Sequence, residues 1–181
     1  MIDQFDLFEP VESDSFEIEV IQSSRRKKTF DAQLEKNKLV IRAPERVSQK
    51  ELQEAINYFS DKFKKRLEKE RLNRVEDLSV VAERLNKKYF AGALKFQSVE
   101  YVTHFTSQYG CCDVQKRTIH LSHVLADYPT WVRDYVLVHE LAHLIEPNHS
   151  PEFWELVNRY PKTERAIGYL MAKDEKIEGI D

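Results

Sequence analysis

Three histidines and one glutamate in the last third of the chain have the types and spacing of a catalytic metal site. His139 and His143 are four residues apart, and Glu140 follows the first of them. Residues at this spacing lie on one face of an α-helix, about 6 Å apart along its axis, so both imidazoles can bind one metal ion through bonds of about 2.0 to 2.1 Å. Glu140 is then free to act on water at the metal. The spacing therefore predicts a metal-dependent hydrolase.

His149 supplies a third imidazole only if the chain bends before it. In a continuous helix His149 would lie about 9 Å beyond His143 and be rotated roughly 240° away from it. Pro147 favours the bend, because proline cannot donate a backbone hydrogen bond in a helix and disfavours helical backbone at the residue before it. Ser150 and the proline after it then indicate the N-cap and first turn of a new helix.

Three neutral histidines favour zinc as the cofactor, because imidazole suits this ion, although it also suits iron, copper and nickel. Three protein ligands leave one coordination position for water, and zinc lowers the pKa of that water to about 7. We expect Glu140 to accept a proton from the water and to pass it to the leaving amine of a peptide. The alternative is a metal site that does not catalyse hydrolysis, but Glu140 would then have no acid or base role.

Carboxylates and a second class of zinc peptidase compete with this interpretation. A glutamate could replace His149 as third ligand, although a helical glutamate is usually solvated; the candidates are Glu152, Glu155 and Glu164. Metzincins share the histidine spacing, but they have glycine where this chain has Glu146, and they follow it with a methionine turn. Met171, the later methionine, does not have the context of such a turn. The metzincin class is therefore disfavoured.

Four other side chains are candidates for secondary roles near the metal. Tyr109, His104 and Tyr160 are candidate donors to the negative charge that develops on a substrate carbonyl. Cys112 is a candidate inhibitory thiolate, although a small buried thiol is the commoner role for cysteine. For each of the four, a structural role is the ordinary explanation.

Composition limits the classes of protein. The chain has 181 residues, of which 41% are hydrophobic and 11% aromatic, which is enough for one domain with a core. A net charge of -3 gives no overall reason to expect a nucleic acid or membrane partner. The two cysteines, Cys111 and Cys112, are adjacent and fit a reducing compartment. Without a signal-peptide pattern or a run of about 18 apolar residues, we expect a cytoplasmic protein.

The first quarter of the chain has the pattern of a small sheet. Residues 1–15 are acidic and lack periodicity, so we expect a mobile tail, with an inhibitory pro-segment as the alternative. Three β-like runs follow at residues 16–21, 28–34 and 38–41, with a polar turn between the last two. They predict an antiparallel sheet within a β-hairpin region of residues 16–44.

Helical periodicity dominates the rest of the chain. Apolar residues at three- and four-residue spacing predict one helix from Ser48 to Leu67 and a second from Leu78 to Tyr89. Strands are predicted at residues 93–102 and 118–121, and the second is a candidate edge of the substrate cleft, where an extended peptide would add as a further strand. The apolar run at 131–138 leads directly into the histidines and predicts a buried, rigid helix.

A mixed-charge run raises the alternative of a DNA-associated protein. Residues 62–66 are mostly basic, and Lys69, Arg71 and Arg74 follow, but Glu68 and Glu70 interrupt the run. A nucleic-acid footprint is expected to carry clustered charge without such compensation. A solvated helix face is therefore the favoured interpretation.

The stretch from Tyr109 to Trp154 resembles the YgjP-like zinc metallopeptidase domain, which is related to the SprT-like and minigluzincin groups. The likeness rests on residues 119–121, 135–144, 148–150 and 153–154, and it extends more weakly over residues 25–90. The resemblance implies a small zinc-dependent peptidase fold. It also implies roles for the four motif residues, with Glu140 as catalytic base and His139, His143 and His149 as metal ligands.

One segment departs from the pattern of that family. Its members often carry Arg-Trp-Gly-Ser-Cys before the metal helix, whereas this chain has Gln-Tyr-Gly-Cys-Cys at residues 108–112. The glycine and the final cysteine match, and the other three residues do not. If the segment shapes the substrate cleft, we expect altered specificity or weak activity.

The patterns together predict an α+β protein: a zincin-like single domain over residues 1–181, with its core at 48–172. It would contain the N-terminal β-hairpin region, a small mixed sheet, and an active-site helix followed by a C-terminal helix. The predicted function is zinc-dependent hydrolysis of a peptide or protein substrate. The alternatives are a zinc-binding regulatory or scaffold protein with little turnover, and a DNA-associated SprT-like protease.

Overall fold

Residues 16–173 are described by a computed structural model, and they form two mixed three-stranded sheets and a series of helices. The chain divides into two units, Met1–Leu67 and Glu68–Asp181, and the boundary falls inside the first helix. This boundary differs from the predicted start of the core at residue 48. The single domain stays a prediction, and the expected tail at residues 1–15 lies outside the described residues.

The first unit contains strands β1 (Glu17–Ser23), β2 (Asp31–Glu35) and β3 (Lys38–Pro44), in the order β1-β3-β2. β2 and β3 are antiparallel, as the sequence predicts, but β1 is parallel to β3. The prediction of an antiparallel sheet is therefore wrong for that pair. β3 takes the central position because its run of apolar residues is buried on both faces, at Leu39, Val40, Ile41 and Ala43.

Helix α1 (Gln49–Val75) begins where its sequence predicts. The hydroxyl of Ser48 accepts a hydrogen bond from the Glu51 amide at 3.2 Å, and the Ser48 amide donates to the Glu51 carboxylate at 3.0 Å. This reciprocal cap satisfies two amides that the first turn would otherwise leave unpaired. Leu52 and Ile56 of α1 are buried in one apolar cluster with residues of the first sheet, namely Phe16, Ile18, Leu39, Ile41 and Ala43.

The second unit contains α2 (Leu78–Tyr89) and strands β4 (Ser98–Val102), β5 (Gly110–Asp113) and β6 (Thr118–Ser122). The strand order is β4-β6-β5, with β4 parallel and β5 antiparallel to β6. β6 is therefore the central strand, and the prediction that residues 118–121 form the cleft edge is wrong. Its fully buried Ile119 and Leu121 suit the middle of a sheet, and β5 occupies the edge.

Three helices complete this unit after a short 3-10 helix at His123–Ala126: α3 (Thr130–Ala142), α4 (Pro151–Val157) and α5 (Thr163–Lys173). α3 is buried on most sides, as its apolar sequence predicts, and packs against α2, α4, α5 and β5. The observed architecture is the predicted α+β class with small mixed sheets. None of the helices within residues 16–173 is both long and apolar enough to cross a membrane.

A buried arginine fixes α3 to the segment that follows α1. The Arg133 side chain is 6% exposed, and its guanidinium donates to the carboxylates of Asp134, at 2.5 and 3.1 Å, and of Glu76. Tyr101 of β4 donates its hydroxyl to the same Glu76 carboxylate at 3.1 Å. The two carboxylates supply the opposite charge and the hydrogen-bond acceptors that a buried guanidinium requires.

Candidate metal centre

The three predicted ligands come from one helix end and the turn that follows it. His139 lies in the last turn of α3 and His143 forms its C-cap. Hydrogen bonds of helical spacing continue to the amide of Glu146, which donates to the Ala142 carbonyl at 3.0 Å, and the chain turns at Pro147. His149 directly precedes the N-cap of α4, as the sequence predicts.

The cap of α4 fixes where His149 leaves the turn. Ser150 accepts a hydrogen bond from the Phe153 amide at 3.3 Å, with Pro151 in the first turn. The Ser150 hydroxyl thus pairs an amide of the first turn that has no carbonyl partner within the helix. Proline in the same turn has no amide hydrogen that would need a partner. The serine and proline thus hold the third histidine beside the end of α3.

The three imidazoles converge at their Nε2 atoms. His149 Nε2 lies 3.1 Å from His139 Nε2 and 3.2 Å from His143 Nε2. Tetrahedral zinc with bonds of about 2.0 to 2.1 Å separates its nitrogen ligands by about 3.4 Å, so the observed spacing fits one ion. These histidines are the one group of metal-ligand type found within residues 16–173.

A hydrogen bond determines which nitrogen of His143 faces the cluster. Its Nδ1 lies 3.2 Å from the carbonyl oxygen of Glu146. A carbonyl only accepts, so Nδ1 carries the proton and Nε2 keeps a free lone pair. A second partner of this kind is the usual way in which proteins orient a metal-binding histidine. The donor set therefore fits zinc in chemistry as well as in distance.

Burial favours the neutral forms of His139, His143 and Glu140. It lowers the pKa of His139 to about 3, with the neighbouring histidines adding to the effect, and it also lowers the pKa of His143. Only a neutral imidazole can ligate, so this environment favours the metal-binding form. Burial raises the pKa of Glu140 to about 8. The charge of a bound cation would oppose that shift and favour the carboxylate.

Phe153 forms an apolar support beneath all three imidazoles. Its ring centroid lies 4.8 Å from that of His139, 4.5 Å from that of His143 and 4.7 Å from that of His149. The ring stacks on His143 at 27° and meets the other two edge-on. The fully buried phenylalanine thus restricts the rotation of every imidazole in the cluster.

A cavity of about 330 Å³ opens beside the histidines. Its wall includes all three histidines, Glu140 and consecutive residues 108–112, which are the first three residues of β5 and the two residues before it. Apolar parts of the wall come from Val114, Tyr135, Val136, Trp154 and Leu170. The segment that departs from the family pattern therefore lines the same cavity as the predicted base.

The remaining candidates from the sequence fall into two groups. Tyr109 and Cys112 line the cavity, and burial raises the pKa of the Cys112 thiol to about 12, which disfavours a thiolate at neutral pH. His104 is exposed against Phe105, and Tyr160 donates its hydroxyl to the Trp131 carbonyl at 2.9 Å. The competing glutamates are exposed and outside the histidine cluster: Glu152, Glu155 and Glu164.

The sequence patterns do not predict two of the residues at the site, Tyr135 and Gly110. Tyr135 lines the cavity one helical turn before His139, and its hydroxyl is buried without a hydrogen-bond partner among the described residues. The spacing of four residues from His139 was a signal that could have identified it. Gly110 lies against the side chain of Glu140, and this contact joins two elements far apart in sequence.

The basic run of α1 carries compensating charges. Lys65 pairs with Asp61 at 2.9 Å, Arg71 with Glu68 at 2.7 Å, and Lys69 with Glu100 at 2.9 Å. These ion pairs agree with a solvated helix face and do not form the uncompensated patch expected for DNA. The DNA-associated alternative stays a hypothesis.

Three converging imidazoles beside a buried carboxylate and an open cavity have the arrangement of a hydrolytic metal site. The family profile of the YgjP-like metallopeptidase domain matches residues 70–170, so the chain belongs to this family. The matched range contains the three histidines and Glu140, and membership supports a metallopeptidase that uses a divalent metal.

Part of the chain is also similar to a solved metallopeptidase structure of low sequence identity. The chain is similar to the metallopeptidase zymogen of Pyrococcus abyssi abylysin, with 20% sequence identity and a TM-score of 0.48. The similarity covers 56% of this chain and 98% of that chain. No curated protein matches the sequence.

Proposed function

We propose that the protein is a zinc-dependent peptidase in which His139, His143 and His149 hold the metal and Glu140 is the general base. The observation that carries the proposal is the convergence of three Nε2 atoms, 3.1 to 3.2 Å from His149 to the other two, beside a buried carboxylate. Family membership supports the metallopeptidase class.

Zinc, when bound, supplies a Lewis acid that makes water more acidic and polarises a carbonyl group. The buried Glu140 carboxylate accepts the proton of the attacking water and then donates it to the nitrogen of the leaving amine. An apolar environment strengthens this proton transfer, because it excludes bulk water that would otherwise solvate the carboxylate. The Glu146 carbonyl and Phe153 keep the imidazoles in their ligating orientation.

The substrate is proposed to be an extended peptide segment that adds to β5. This strand pairs with β6 on one side and is one of the two outer strands of its sheet, and its residues 110–112 form part of the cavity wall. An edge strand offers unpaired backbone donors and acceptors to a peptide. A peptide bound there lies along the wall that Glu140 also faces.

The test is cleavage of a peptide library by the zinc-loaded protein beside the Glu140→Gln variant. The amide keeps the shape of the carboxylate but cannot accept the proton, so we expect zinc binding to persist and cleavage to fall by at least about 100-fold. Zinc content is measured on both proteins after removal of free metal.

A variant that cleaves as fast as the wild type would exclude Glu140 as base. Absence of cleavage by either protein, with one zinc bound per chain, would instead favour a zinc-binding regulatory protein. Replacement of all three histidines is expected to remove the metal, and retention of it would refute the proposed ligands.

A further inference from the structure

Gly110 is the point at which β5 approaches the side chain of Glu140. A Cβ atom at this position would lie 2.5 Å from Glu140 Oε1, 2.8 Å from Cγ and 2.9 Å from Cδ. All three distances are shorter than van der Waals contact, so no residue with a side chain fits while both groups stay in place. The glycine creates the space that the carboxylate occupies.

The backbone conformation of Gly110 does not itself require glycine. Among the described glycines only Gly92 has positive φ, so an alanine at position 110 adds a Cβ atom without backbone strain. The contact with Glu140 is therefore the property that a substitution would change.

The strand is less free to move than the carboxylate. Gly110 pairs with the fully buried Leu121 of β6, and the amide of Ser122 donates to the Tyr109 carbonyl at 2.7 Å. The backbone of Glu140 is held by the buried α3, whereas its flexible side chain has rotatable bonds that allow the carboxylate to be displaced. A Cβ atom at position 110 would thus be accommodated by displacement of the Glu140 carboxylate.

We propose that Gly110 is a positioning residue, whose lack of a side chain places the Glu140 carboxylate between β5 and the metal ligands. The inference rests on the proposed function for its catalytic consequence, but the contact itself is independent of that function. It also ties the peptide-binding strand to the base, because the same strand forms the cavity wall at residues 110–112.

The first experiment compares Gly110→Ala with Gly168→Ala, using fluorescein-labelled casein and a quenched peptide from the cleavage library. Gly168 lies in α5, and a Cβ atom there meets nothing within 4 Å, so it controls for the loss of a glycine in the same unit. We expect Gly110→Ala to lower kcat by about 100-fold, as a misplaced catalytic group does, with KM changed much less. Both variants are expected to bind one zinc per chain.

The second experiment tests the contact between Gly110 and Glu140 through protein stability, without measuring catalysis. Urea unfolding of the metal-free protein is compared for the wild type, Gly110→Ala, Glu140→Ala and the double variant. Glu140→Ala removes Cγ, Cδ and Oε1, the three atoms that would meet the new Cβ atom. We expect Gly110→Ala to lower the urea midpoint in the wild-type background and to leave it unchanged in the Glu140→Ala background.

Two outcomes would overturn the proposal. One is a Gly110→Ala protein with wild-type kcat, and the other is an equal loss of urea midpoint in both backgrounds. If the wild type cleaves neither probe, the proposed function fails, but the urea cycle still decides whether Gly110 makes room for Glu140. The two failures are thus distinguishable.

Discussion

Phe153 has no polar atom, but it packs against all three histidines that we propose as metal ligands. Its ring lies within 5 Å of the ring centroid of each histidine, at 4.5 to 4.8 Å. An imidazole that rotates freely must lose that freedom when it binds a metal, which weakens binding. The buried phenyl ring removes part of this freedom before the metal arrives.

We therefore expect Phe153→Leu to weaken zinc binding by about tenfold. This is the lower end of the loss of metal affinity seen when residues that orient metal ligands are replaced. Phe90→Leu is the matched control, because Phe90 is buried in the same apolar cluster. Both changes should cost about 1 kcal/mol of unfolding free energy, as substitutions of buried apolar residues by similar ones do. Competition with a chromogenic chelator measures the zinc Kd, and equal Kd values in both variants would contradict this role.

Among single residues, the sequence predicted the histidine cluster but not the neighbour of the base. His139 and His143 are local partners on one helix, and Pro147 gives a local reason for the chain to return. The contact of Gly110 with Glu140 joins β5 to α3 across about thirty residues of chain, and no local pattern encodes it. Local spacing predicted the three histidines that converge, whereas only the fold brings Gly110 against Glu140.

At the scale of elements, prediction succeeded where the termini carry capping residues or the faces are strongly apolar. The starts of α1 and α4 follow from Ser48 and Ser150, whose hydroxyls cap the first turns. The strand β5 was missed because Gly-Cys-Cys-Asp has neither alternation nor β-branched residues. The parallel pairing of β1 was missed because it depends on which strand takes the centre of the sheet.

The buried ion-pair network of α3 is expected to be a principal determinant of stability in the second unit. Arg133→Ala removes the donors that satisfy Asp134 and Glu76, whose side chains are 15% and 35% exposed. Because these carboxylates are only partly shielded from solvent, we expect a loss of about 2 to 3 kcal/mol in unfolding free energy, below the full cost of breaking a buried pair.

Arg84 supplies the matched control for this prediction. It also pairs with Asp134, at 3.1 Å, but its side chain is 62% exposed. Arg84→Ala should therefore cost at most about 1 kcal/mol, as exposed ion pairs do. Urea unfolding of the two variants measures the difference, and an equal cost for both would show that burial of Arg133 does not govern the strength of this network.

At the scale of the whole molecule, we expect several buried acids to make the fold sensitive to high pH. Burial raises the pKa of Cys112 from 9.0 to about 12 and that of Tyr160 from 10.0 to about 12, and it raises the pKa of Tyr101 and Tyr135 above 10.0. The unfolded chain loses the thiol proton above about pH 9 and the phenol protons above about pH 10, while the folded chain keeps them. The contribution of these groups to the unfolding free energy is therefore complete below their pKa values in the unfolded chain. It is lost as the pH rises above those values.

We expect the unfolding free energy to fall by roughly 4 kcal/mol between pH 10 and pH 11, since each of the four groups contributes about 1 kcal/mol over that interval. The measurement is urea unfolding under reducing conditions at pH 9, 10, 10.5 and 11. Such a loss is a large part of the about 5 to 15 kcal/mol by which most domains are stable.

Tyr101→Phe tests whether ionisation of one buried hydroxyl contributes to this loss of unfolding free energy. The variant has no phenol to ionise, so its loss between pH 10 and pH 11 should be smaller by about 1 kcal/mol, even though it also lacks the hydrogen bond to Glu76. Tyr58→Phe is the control, because it also removes a phenol but Tyr58 is 62% exposed, whereas Tyr101 is fully buried. The same pH dependence in both variants would mean that other groups drive alkaline unfolding, and the buried phenol of β4 would then have no part in it.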